Sequence, residues 1–176
     1  MTGVLLVLLY FGLAALAAFI ILQPDRFVVT RSRTIAAPPP TLFGFVNDLH
    51  RFESWSPWAD LNPGDSKTFE GPRSGEGASM VWSDANRAGR VTIVSSKPNE
   101  SVEMRLDMQK PLVAQNDVHF VITPEGQGAK VDWTMVGRRG LVAKAMNLVL
   151  RHDDKLGAQF EKGLARLEEA ATKGDR

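Results

Sequence analysis

Three histidines, no cysteine and a scatter of carboxylates are what this 176-residue chain offers to chemistry. Without a thiol there is no disulfide framework, no thiolate metal site and no cysteine nucleophile. No Gly-x-Ser-x-Gly elbow occurs to present a serine. His50, His119 and His152 stand far apart and lack the paired spacing of a zinc site. Each reads as a surface or hydrogen-bonded residue. Asp153 and Asp154 are neighbours, so on a helix they point about 100° apart and cannot share a site. Glu103 and Asp107 alternate with Arg105, as an exposed strand face does. The stretch GPRSGEG at 71–77 has glycines but no Lys-Ser/Thr and opens no helix. It is read as a turn, not a phosphate cradle. An acid–base mechanism needs an inward polar group, and the pattern singles none out. No metal and no cofactor are expected.

The residues that do form a pattern are apolar. Met80, Trp82, Met104, Leu106, Met108, Phe120, Trp133 and Met135 fall on the inward face of period-two segments. Methionine adapts to variable shapes, and four of the six in the chain lie on this face. The set is a candidate cavity lining, although ordinary core packing competes for each member. Buried Trp82 and Trp133 would place an N–H donor among apolar walls. Residues 52–58, FESWSPW, hold two of the four tryptophans. Pro57 ends any helical turn there by pushing its predecessor toward extended backbone. Trp55 and Trp58 are then free to point differently. At least one is expected to plug the cavity end or pack on the terminal helix near Phe160.

The elements that must position these residues are readable in outline. Residues 27–35 are β-branched and partly alternating, a strand ended by AAPPP at 36–40. A short helix follows over 41–48, with Thr41 as its N-cap and Leu42, Phe45 and Val46 inward. Residues 50–55 add one more helical turn. The segment 62–65, NPGD, is a turn. Strands are expected at 79–83, 90–96 and 101–109, then around Val118, Phe120 and Ile122, and again around Val131, Trp133 and Met135. Residues 101–109 alternate most cleanly, as a half-buried antiparallel strand does. From 141 to 171 the period becomes helical. Leu148, Val149, Leu156, Phe160, Leu164 and Leu167 lie on one broad stripe. Gly157 and Gly163 mark a bend or a close approach to the sheet. About six antiparallel strands with one apolar face need a cover, and this helix is large enough to supply it.

Residues 3–22, GVLLVLLYFGLAALAAFIIL, carry no charge. About 20 residues at 1.5 Å each span roughly 30 Å, the thickness of the bilayer's hydrocarbon core. The absence of a basic residue before the run, and its length, favour an uncleaved anchor over a signal peptide. Arg26, Arg31 and Arg33 follow the run, which places the remainder on the cytoplasmic side. Lys+Arg 21 against Asp+Glu 20 leaves a net charge of +1, no footprint for nucleic acid.

The wording VTRSRTIAAPPPTLFGFVNDLHRFESWSPW, then GEGASMVW, KVDWTMVG and DDKLGAQFEKGLARLEEAA, resembles the START-like helix-grip superfamily (SRPBCC) in its polyketide cyclase/dehydrase-like branch. The resemblance implies an α+β fold. A curved antiparallel sheet wraps a long C-terminal helix and encloses a cavity for hydrophobic ligands. The expected organisation is a transmembrane helix at 3–22, a linker at 23–27, the helix-grip domain at 28–171 and a frayed tail at 172–176. The expected partners are a bilayer and a hydrophobic small molecule or lipid. The alternatives are a polyketide cyclase- or dehydratase-like enzyme and a chaperone-regulating interaction module. Fold alone does not choose among them.

Overall fold

The computed structural model describes residues 2–59, 66–150 and 152–173, and for Thr2, Val149, Leu150 and His152 the backbone alone. The turn expected at 62–65, the side chains of Val149 and His152 and the tail at 174–176 lie outside the described residues.

Helix α1 (Thr2–Leu22) is apolar on every side, and its span Gly3–Leu22 is long enough to cross a membrane. None of that span is buried against the rest of the chain. Strand β1 (Arg26–Ile35) follows α1 after three intervening residues. Two short helices follow, α2 (Pro39–Asn47) and α3 (Leu49–Trp55). Thr41 does not cap α2. The helix starts earlier, with Pro38 at the N-cap position and proline in the first turn. Proline suits that turn because its fixed φ is helical and its missing N–H would have had no partner. Asp48 caps α3, its Oδ1 accepting the His50 N–H at 2.9 Å.

Six more strands complete the sheet: β2 (Ser66–Glu70), β3 (Ser79–Ser83), β4 (Ala88–Lys97), β5 (Ser101–Lys110), β6 (Ala114–Glu125) and β7 (Gly128–Arg138). Their order is β1-β7-β6-β5-β4-β3-β2, antiparallel throughout. Register shifts in β4, at Ala88/Gly89 and Ile93/Ser95, add the local bend that curves a sheet. Strand β2 has one large apolar residue, Phe69, so no alternation announces it.

The terminal helical stretch is two helices, α4 (Leu141–Leu150) and α5 (His152–Lys173). Only α5 covers the sheet. Phe160, Leu164, Leu167 and Ala171 repeat at helical spacing and are buried. Leu148, expected on the same stripe, is exposed on α4. Thr172 and Lys173, expected to fray, continue α5. The fold is therefore the helix-grip α+β architecture, a seven-stranded curved antiparallel sheet gripping a long C-terminal helix, preceded by an apolar helix.

Gly163 shows how tightly the grip closes. A Cβ there would lie 2.6 Å from the Trp133 ring and 3.0 Å from Pro57. Only a residue without a side chain lets α5 approach so near. The opposite flank is joined by ion pairs to β1, Arg31 to Glu161 at 2.6 Å and Arg33 to Glu168 at 2.5 Å.

Candidate functional site

A cavity of about 310 Å³ lies on the concave face of the sheet. Its walls come from β2 to β7, and α3 with the following Ser56–Trp58–Ala59 segment closes it. Period two explains the walls, since Met104, Leu106 and Met108 step along β5 and Trp133 and Met135 along β7. Strands β3 and β4 add Met80, Trp82 and Val91, and β6 adds Val118.

The eleven candidate residues divide into two groups. Trp58, Met80, Trp82, Met104, Leu106, Met108, Trp133 and Met135 line the cavity. Trp55, Phe120 and Phe160 do not; all three are fully buried in the core. The reason is aromatic packing. Phe160 of α5 stacks on Trp133 at 4.3 Å, and Phe120 lies 4.8 Å from the same ring. These rings fill the space directly beneath α5. The open volume is displaced toward α3, away from the terminal helix where the sequence places it.

The two tryptophans of the FESWSPW corner do face different ways. Trp55 points into the core and donates its Nε1–H to the Phe45 carbonyl at 3.1 Å. Trp58 packs edge-on against Trp133 and Phe160, at 5.6 and 6.1 Å, with its other surface on the cavity. Trp82 lies over Gly89, where a Cβ would come within 2.3 Å of the indole. Gly89 thus makes room for the ring on the neighbouring strand. The Trp133 Nε1–H is buried and has no hydrogen-bond partner among the described residues.

Sequence reasoning missed the polar part of the lining. Glu53, Lys67 and Arg87 border the cavity along with Ser56. Glu53 accepts a hydrogen bond from Lys67, across from α3 to β2. Arg87 pairs with Asp84 at 3.0 Å. Nothing in the local pattern marks Glu53 as inward, because α3 is only seven residues long and its buried residues, Leu49, Phe52 and Trp55, are all apolar. Lys67 lies on the strand that shows no alternation.

Three carboxyls are held below their ordinary range, and none lines the cavity. The Lys144 ammonium, by hydrogen bond and charge, lowers Asp25. Burial raises Asp48, but the His50 and Arg51 N–H groups and the Arg73 guanidinium outweigh it. Asp132 behaves likewise, with burial opposed by Ser32 and Lys130. His50 stacks on Phe69 at 3.8 Å, outside the cavity, and His119 faces Glu103 on the outer sheet face at 4.0 Å. Among the described residues no cluster of three or more His, Cys, Asp or Glu is placed to hold a metal.

Comparison with known proteins agrees with this geometry. The family described as polyketide cyclase / dehydrase and lipid transport matches residues 26–172. No curated protein matches the chain by sequence. Among solved structures, protein MLL2253 from Mesorhizobium loti superposes with a TM-score of 0.61 at 17% identity, over 84% of this chain and 98% of that one. The Aha1 dimer from Colwellia psychrerythraea gives 0.57 at 11%, over 82% and 96%. Ara h 8.0201 gives 0.59 at 12%, over 84% and 99%. At these identities the likeness is one of fold.

Proposed function

The chain belongs to the polyketide cyclase / dehydrase and lipid transport family, and from that premise we propose that it binds a hydrophobic small molecule or lipid while anchored in a membrane. The carrying observation is the cavity: about 310 Å³, walled by four methionines, three tryptophans and aliphatic side chains. That volume is at the lower end for small-molecule sites, and its apolar walls with few polar groups are typical of them. Methionine-rich walls can repack around ligands of different shape. Helix α1 serves as the anchor, and the basic residues after it favour a cytoplasmic domain. The domain runs over 28–171, and the eight lining residues named above form its site.

Native mass spectrometry of the full-length protein extracted in mild detergent tests the reading. A retained apolar ligand is expected in the wild type. It should be lost in Leu106→Trp, which fills the cavity. Wild-type protein that never retains or takes up an apolar ligand would sink the proposal.

The Glu53–Lys67 pair favours a second reading, an enzyme acting on a polyketide-like substrate. A carboxylate and an ammonium side by side at an apolar cavity can take and give a proton. Glu53→Gln should then abolish turnover while leaving ligand retention intact. Loss of retention in that variant would speak for binding alone.

A further inference from the structure

Helix α4 is amphipathic the wrong way round for water. At 100° per residue, Leu148, Leu141, Ala145, Val142 and Met146 follow one another around an arc of about 160°. The large residues of that arc are exposed: Leu141 58%, Val142 65%, Met146 45% and Leu148 42%. The polar residues face the protein instead. Lys144 is 3% exposed, with its ammonium on the Asp25 carboxylate at 2.5 Å and the Ile21 carbonyl at 3.3 Å. Asn147 accepts the Asp153 N–H at 3.2 Å. An exposed apolar stripe on a folded domain is a contact surface awaiting an apolar partner.

The sheet register shows what lies beside it. Arg26 pairs with Arg138, Gly137 with Asn116, Met108 with Ala114, Ala88 with Lys110 and Ser83 with Ser66. The start of β1, the end of β7 and the β5–β6 hairpin tip therefore share one end of the sheet. Helix α1 enters at that end, and α4 departs from it. The hairpin tip carries Leu112 and Val113, both exposed, Val113 at 88%. Arg26, Lys110 and Arg138 are exposed around it. Lys67, Trp82, Arg87 and Met108, all of the cavity lining, lie within two residues of the strand ends here.

We propose that α4 and the β5–β6 tip lie in the headgroup region of an anionic bilayer, so that the anchor end of the sheet, with the polar part of the cavity, faces the lipid. This rests on the anchoring reading of α1. Three observations select a bilayer over other occupants. Helix α4, which carries the stripe, is tied to the apolar helix by Lys144, bonded to the last turn of α1 and to Asp25 just beyond it. Apolar residues at two separate sites project from the same end of the fold as α1. The exposed cations around them match anionic headgroups, which attract basic residues near such a surface. A helix of this kind buries its apolar side roughly 5–10 Å into the interface.

The chain has no cysteine, so single-cysteine variants of the full-length protein report one position each. Val142→Cys, Val113→Cys and Val121→Cys, labelled with an environment-sensitive fluorophore, are reconstituted into vesicles of phosphatidylcholine with one quarter phosphatidylglycerol. Val121 is exposed but pairs with Ser101, at the opposite end of the sheet. The labels at 142 and 113 should be blue-shifted and quenched by lipid-borne quenchers, and the label at 121 by aqueous iodide only. If the protein stays with alkali-washed vesicles but the 142 label answers to iodide, the proposal is overturned and the anchor stands. If the 142 label is shielded from both quenchers and cross-links between copies, the stripe is a dimer face and the proposal falls. If the protein leaves the washed vesicles, the anchor and the proposal fall together.

Discussion

Trp55 and Trp58 sit three positions apart and separate two kinds of evidence. Trp55 is fully buried and hydrogen-bonded within the core; Trp58 divides its surface between the core and the cavity. Trp55→Ala should cost about 3–5 kcal/mol of stability, the usual range for removing a large buried aromatic. Trp58→Ala should cost less, and ligand retention at equal folded fraction should drop only there. Chemical unfolding in detergent, paired with native mass spectrometry, separates the two. Asp48 offers a pH-dependent check. Its carboxyl is lower in the folded state than the ordinary value near 3.9. Its contribution is therefore complete above that value and disappears as pH falls through the folded-state value. Asp48→Ala should cost about 1 kcal/mol at pH 7, as lost N-caps do, and the difference from wild type should shrink near pH 3. Thermal unfolding at the two values checks it; an undiminished difference at pH 3 would show that the charge is not involved. At this scale the sequence was informative about residue type and weak about direction. Alternation along β5 and β7 pointed Met104 and Trp133 inward, whereas no periodicity could show that Phe160 and Phe120 would fill the space under the helix.

At the scale of elements, α5 lies close against β7 at Gly163. Gly163→Val would drive a branched side chain into the Trp133 ring and Pro57. Overpacking of that kind costs about 1–3 kcal/mol, more than the few tenths of a kcal/mol that valine gains over glycine in a helix. The expected result is a lower unfolding midpoint and a disturbed Trp133 emission; an unchanged midpoint would mean that the grip is looser than the geometry. The strands and the covering helix were legible because burial on one face imposes a period of two or of 3.6. The division between α4 and α5 was not. Residues 141–171 read as one stripe, but Leu148 turns outward while Phe160 turns inward. A pattern of apolar residues records that a face avoids water and leaves open whether it meets the core or a different apolar phase. Strand β2 stayed hidden for a simpler reason, having one large apolar residue to register against its neighbours.

For the whole molecule, the family and the helix-grip architecture were legible from four stretches in the right order, while the polar part of the cavity depends on Glu53 and Lys67, which meet only in three dimensions. The proposed sidedness has a direct test. In inverted inner-membrane-type vesicles a protease should digest the domain, and in right-side-out vesicles it should be protected; the reverse pattern would place the domain on the other face. Three residues, Gln23, Pro24 and Asp25, join α1 to β1. A connection that short reaches at most about 10 Å. With α1 held in a bilayer, the cavity therefore samples a thin layer above one leaflet and not the surrounding volume, which sets a high effective concentration for anything dissolved in that layer. A water-borne carrier exchanging cargo with a domain so anchored would have to travel to the membrane, because a three-residue link gives the domain no leash with which to meet it halfway.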